Sequence, residues 1–127
     1  MANSAHNWSI HIVDDDPNVL ESLALLLRFM GHAPYPYVSA QEFLDTAQIK
    51  PSDVLLFDLH MPDINGFLLL AQVQARQPGA KAMLMTGYGN ADVEREAFQL
   101  GFKAVLHKPF SETDLCTALD ATSAVER

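Results

Sequence analysis

Residues 33–38 read Ala33-Pro34-Tyr35-Pro36-Tyr37-Val38, a β-prone run of tyrosine and valine interrupted by two prolines. Proline has no amide hydrogen and cannot donate to a sheet ladder. Residues two apart in a strand send their backbone nitrogens to the same side. Both missing donors can therefore face outward only if this strand lies at the edge of its sheet. One strand is thereby confined to an edge, which limits the strand orders the fold can take.

Outward from this run the chain alternates. Short apolar runs occupy residues 9–13, 54–58, 81–85 and 103–107, and each precedes a segment of helical periodicity. Asp16 is suited to cap the first helix and Pro17 to be its first residue. Val19, Leu20, Leu23, Leu26, Leu27 and Met30 form its apolar stripe, and Gly31 stands just past its end. Ser39-Ala40-Gln41-Glu42 opens the next helix as a capping box. Asn90 caps a helix that runs to Leu100 and stops at Gly101. Ser111-Glu112-Thr113-Asp114 opens the last helix in the same manner. The pattern is (βα)5 and predicts an α/β fold, a doubly wound five-stranded parallel sheet between two helical layers. With the second strand at the edge, the order 2-1-3-4-5 fits, giving a flavodoxin-like three-layer sandwich. Ligands in such folds gather beyond the carboxyl ends of the strands.

A chain of 127 residues with 49% hydrophobic content suits one domain, residues 1–127, with its core at about 9–122. Sixteen acidic residues against eight basic ones give a net charge of −8, and no Lys/Arg cluster breaks the excess. Nucleic acid is thereby disfavoured as a direct ligand, and a protein partner is favoured. Residues 1–8 lack the basic and apolar regions of a signal peptide. The longest apolar stretch, residues 23–27, is too short to span a bilayer. The expectation is a cytoplasmic protein with no membrane contact. The single cysteine, Cys116, excludes an internal disulfide and is expected as a small half-buried side chain of the last helix.

The strand ends carry the chemistry. The first ends in Asp14-Asp15-Asp16, the third in Asp58, the fourth in Thr86 and the fifth in Lys108. In the order 2-1-3-4-5 these four strands are neighbours, so their terminal side chains converge. Two like charges about 4 Å apart repel by roughly 4 kcal/mol at a surface-like dielectric, so such a cluster calls for a cation. Carboxylate oxygens with room for water suit Mg²⁺, or Mn²⁺ in its place. The histidines at 6, 11, 32, 60 and 107 are scattered, which offers zinc no site. A metal-bound aspartate is a competent nucleophile toward phosphorus. With Asp58 in that role, the metal would cover one phosphoryl oxygen, Lys108 a second, and the Thr86 hydroxyl with backbone N–H groups a third.

At these residues the sequence resembles the response-regulator receiver (CheY-like) family. The matching pieces are Ile12-Val13-Asp14-Asp15-Asp16, then Asp58-Leu59-His60-Met61-Pro62-Asp63-Ile64-Asn65-Gly66, then Met85-Thr86-Gly87, then Lys108-Pro109-Phe110. The resemblance implies that Asp58 accepts a phosphoryl group from a sensor histidine kinase or a histidine phosphotransfer protein. It implies that Asp14, Asp15, Asp58 and the backbone carbonyl of His60 hold Mg²⁺. Thr86 would move to the acyl phosphate, and Lys108 would pair with a phosphoryl oxygen. The domain would catalyse only this transfer and a slow self-dephosphorylation, acting as a switch that signals to an unknown downstream protein. Family members also dimerise on phosphorylation through the fourth helix, fifth strand and fifth helix. The chain is expected to be either a stand-alone receiver or part of a longer regulator or hybrid kinase.

One position departs from the family pattern. Three residues before the lysine most receivers carry Phe or Tyr, whose ring turns inward when the threonine moves; here the residue is Val105. Tyr88 and Phe102 are the nearby candidates to replace that ring, although Phe102 is also suited simply to pack the end of the fourth helix. His60 and Tyr88, two after the phosphoacceptor and two after the threonine, are expected to shield the phosphoryl group from water. Three rivals remain. A phosphohydrolase would carry a second acid at position 60, where this chain has histidine. A flavin binder would not place three aspartates beside a phosphate. A receiver that signals by protein contact without phosphorylation is compatible with Val105.

Overall fold

The computed structural model describes residues 7–123. Five strands alternate with five helices: β1 (Ser9–Val13), α1 (Pro17–Phe29), β2 (Ala33–Tyr37), α2 (Ala40–Thr46), β3 (Val54–Asp58), α3 (Gly66–Arg76), β4 (Lys81–Thr86), α4 (Ala91–Leu100), β5 (Ala104–His107) and α5 (Glu112–Ser123). The strands form one parallel sheet in the order β2-β1-β3-β4-β5. β2 pairs with β1 alone, Pro34 beside Ile10 and Pro36 beside Ile12. The two prolines thus stand on the edge strand, as their missing donors require.

Every residue of β3 is buried. Its side chains alternate between two cores, because successive residues of a strand point to opposite faces. Val54 and Leu56 join Ile10, Ile12, Met83 and Met85 beneath α1 and α5. Leu55 and Phe57 join Phe43, Leu69, Leu70 and Phe102 beneath the helices of the other layer. A sheet covered on both faces needs central strands with near-continuous apolar runs, which is how residues 54–57 of β3 and 82–85 of β4 read.

The expected helix starts are formed by side chains. Asp16 accepts the Asn18 N–H at 2.9 Å, and Asn90 accepts that of Val93 at 2.9 Å. Ser111 and Asp114 exchange side-chain and backbone bonds, each 3.0 Å. Ser39 caps α2 through the Glu42 N–H, but the Glu42 carboxylate reaches back one residue further than a capping box requires, to Val38 N–H. That bond takes Val38 out of the ladder, and β2 ends at Tyr37 instead of residue 38. β4 extends one residue beyond its apolar run because the Thr86 carbonyl accepts the Lys108 N–H at 2.8 Å. The α3 start escaped the sequence signals used for the others: Asn65 caps it through the Leu68 N–H, at 2.9 Å.

Cys116 is exposed, not half-buried. α5 turns Leu115, Ala118, Leu119 and Thr122 inward, and the next residue after Leu115 is rotated about 100° away from that stripe. No helix among the described residues is long and apolar enough to cross a membrane. The expectations for residues 1–6, and for the end of the domain at 124–127, lie outside the described residues.

Candidate functional site

Three consecutive aspartates leave β1 and perform three tasks. Asp16 caps α1. Asp15 is exposed above the crevice. Asp14 is 1% exposed and fully engaged: one oxygen accepts the Asp16 N–H at 2.9 Å, the other accepts from Lys108 Nζ at 2.8 Å. Pro17 at the first helical position, with φ preset and no donor to lose, turns the chain sharply enough to separate these roles.

Asp58 ends β3 and is buried. The chain beyond it is pinned by Leu59 N–H to the Met85 carbonyl at 2.9 Å and by Gly66 N–H to the Leu59 carbonyl at 3.0 Å. Gly66 lets this loop close directly behind the aspartate. A Cβ there would lie 2.7 Å from the Asp58 carbonyl oxygen and 3.0 Å from Leu84. Lys108, held at the end of β5 by its backbone bond to Thr86 and followed by a cis peptide to Pro109, reaches Asp58 at 3.3 Å.

Carboxylate oxygens of Asp14, Asp15 and Asp58 lie within 4.8 Å of one another. Lys108 supplies one positive charge against these three acids. Burial is the largest influence on Asp58 and pushes its carboxyl above the usual range; Asp14 adds to the rise, Lys108 opposes it and Asp15 adds again. Burial alone would depress the Lys108 ammonium, but its bond to Asp14 and the charges of Asp58 and Asp14 outweigh this and raise it. Hard oxygen donors carrying excess negative charge suit a divalent cation such as Mg²⁺ and would leave coordination positions for water.

The remaining sequence-derived candidates surround this cluster. Thr86 is fully buried at the end of β4, and its hydroxyl accepts the Tyr88 N–H at 3.1 Å. His60 and Tyr88 bring their rings together edge-to-face, centroids 5.8 Å apart, with Tyr88 81% exposed. Val105 is half-buried against the α4-side core. Phe102 does not stand in for the missing switch ring, since it is buried between Phe57 and Phe67 with centroids 6.5 and 6.2 Å away.

The family model described as the response regulator receiver domain matches residues 10–120. The chain belongs to the response regulator receiver family. This receiver is 36% identical over 113 residues to the transcriptional regulatory protein FixJ of Azorhizobium caulinodans, covering 89% of this chain and 54% of that one. It is 34% identical over 109 residues to the DNA-binding transcriptional regulator NtrC of Klebsiella pneumoniae, covering 86% and 23%. The receiver thus spans about half the length of FixJ and less of NtrC. The crystal structure of FixJ-N is 30% identical and superposes with a TM-score of 0.80 over 97% of this chain and 99% of that one. CheY4 of Vibrio cholerae, 22% identical with a TM-score of 0.82, shares the fold over 92% of this chain and 99% of its own.

Two polar groupings were not foreseen. His11 bonds Tyr37 through Nδ1 and buried Asp53 through Nε2, each at 2.9 Å. His107 bonds Glu94. Period-two alternation puts His11 and Tyr35, paired across β1 and β2, on one face, with Tyr37 diagonal to them. Asp53 comes from the loop before β3 and Glu94 from the first turn of α4, both distant in sequence from their partners, and no local pattern announces them.

Proposed function

We propose that Asp58 accepts a phosphoryl group from a phosphohistidine on a sensor kinase or phosphotransfer protein, in the cytoplasm, and that the receiver then signals to a protein partner. The observation that supports this most is the charge imbalance at Asp58: a buried carboxylate crowded by two others, with one ammonium between them.

Asp14, Asp15 and Asp58, with the backbone carbonyl of His60, would hold Mg²⁺ or Mn²⁺. The metal would supply charge neutralisation for a phosphoryl oxygen. An Asp58 oxygen attacks phosphorus, a P–O bond forms, the P–N bond breaks, and the imidazole leaves. Lys108, already 3.3 Å from Asp58, keeps a second oxygen. The Thr86 hydroxyl gives up the Tyr88 N–H and donates to the acyl phosphate. Water later returns the aspartate, and the His60–Tyr88 pair narrows its approach. Receivers are signalling switches, not turnover enzymes, and the slow return sets the duration of the signal. Residues 1–127 form one receiver unit in this proposal, and phosphorylation-dependent pairing through α4, β5 and α5 is compatible with it.

Incubation with acetyl phosphate and Mg²⁺ should add about 80 Da to the intact protein, with no gain in Asp58→Asn or after chelation. Val105 favours one other function, a receiver that binds its partner without phosphorylation. An unmodified wild-type mass under these conditions would select it.

A further inference from the structure

If phosphorylation moves Thr86, something must carry that movement outward, and Val105 has no ring to do it. The surroundings of Thr86 name another side chain. Thr86 and His107 are direct partners across β4 and β5, so their side chains leave the same face of the sheet. Val105, two residues before His107, shares this face. The loop after β4 is tied to Thr86 by the 3.1 Å bond from Tyr88 N–H to the threonine hydroxyl. The next residue, Gly89, lies directly against the His107 ring. A Cβ there would overlap Cε1 and Nδ1 of the imidazole and sit 3.1 Å from the Thr86 methyl. On its far side the same ring donates Nε2–H to the carboxylate of Glu94, in the first turn of α4.

We propose that His107 is the positioning residue that relays the state of Asp58 to α4, with Gly89 as its contact on the Thr86 side and Glu94 as its contact on the helix. This rests on the phosphorylation reading above. When the Thr86 hydroxyl leaves the Tyr88 N–H for a phosphoryl oxygen, the loop carrying Gly89 loses its anchor. Gly89 then shifts against the imidazole, and the ring passes the displacement through Glu94 to the first turn of α4. A valine at 105 leaves this route clear, because no bulky ring competes for the space beside the loop. Glycine at 89 is required for the contact: any side chain would collide with the imidazole and force it away from its place beside Glu94. His107 touches no group of the phosphoacceptor cluster through its side chain, so its removal should spare the chemistry and alter only the readout.

Hydrogen–deuterium exchange of residues 91–100, compared before and after treatment with acetyl phosphate and Mg²⁺, reads the relay. Intact mass on the same samples reads the chemistry. Wild type should gain the phosphoryl adduct and change its exchange across α4. His107→Ala and Glu94→Ala should gain the adduct at rates within about twofold of wild type, while the exchange change in α4 falls by roughly threefold or more. His107→Gln, whose amide can still donate to Glu94, should keep an intermediate response, and its retained fold guards against a merely damaged variant. An α4 response in His107→Ala equal to that of wild type, with the adduct present, would overturn the relay alone. No adduct on wild type would overturn the phosphorylation reading and this inference with it.

Discussion

Two buried carboxylates, Asp53 and Asp58, flank the same strand and live under opposite conditions. Asp53, just before β3, is balanced: its Oδ2 receives His11 at 2.9 Å and the Lys50 N–H at 3.0 Å, and His11 is bonded in turn to Tyr37. Asp58, at the other end of β3, meets one ammonium at 3.3 Å and two further carboxylates within 4.8 Å. Burial without balance is costly in a folded protein. The amino end of the strand therefore holds a structural group, whereas the carboxyl end carries a repulsion that a divalent cation would relieve.

The sharpest way to break the comparison is to remove each carboxylate. Asp53→Ala strips a buried histidine and a loop N–H of their acceptor, and urea denaturation should show a loss of about 3 kcal/mol. Asp58→Asn should act in the opposite direction. In the absence of divalent cations it relieves repulsion and should raise unfolding stability by on the order of 1 kcal/mol. Equal losses in both variants would mean that Asp58 is as well satisfied as Asp53.

The pH dependence sharpens the same point. The Asp58 pKa is raised in the folded state, so the native protein binds this proton more tightly than the unfolded chain. Its contribution is therefore fully present below the ordinary carboxylate value near 3.8 and is lost as pH rises through the folded value. Wild type measured with chelator should lose stability relative to Asp58→Asn across that window. Smaller still is the response to Mg²⁺, which should raise the wild-type melting temperature through mass action and leave that of Asp58→Asn nearly unchanged. The His60–Tyr88 pair adds a kinetic test: the phospho-Asp58 half-life should shorten in His60→Ala and Tyr88→Ala. Values within about twofold of wild type would remove their shielding role.

The edge position of β2 was legible because a missing N–H is a property of the residue itself, and Pro34 with Pro36 confined that strand to an edge of the βα-alternating sheet. The acidic cluster was legible for a similar reason: strand ends are ordered by topology, so Asp14, Asp58, Thr86 and Lys108 converge once that order is known. Asp53–His11 and Glu94–His107 were hidden because each joins segments whose approach depends on loop paths and helix rotation. The exposure of Cys116 turned on one residue of helical phase, which the apolar pattern of α5 left open. Asn65 was overlooked as a cap because it sits inside a motif whose other residues carry the chemistry.

Asp58, the unbalanced carboxylate, is the proposed phosphoacceptor. Borohydride reduces an acyl phosphate to the alcohol, converting a phosphorylated aspartate to homoserine. Peptide mapping after treatment with acetyl phosphate, Mg²⁺ and borohydride should find homoserine at position 58 and nowhere else. Homoserine at position 14 or 15, or none at all, would contradict the assignment.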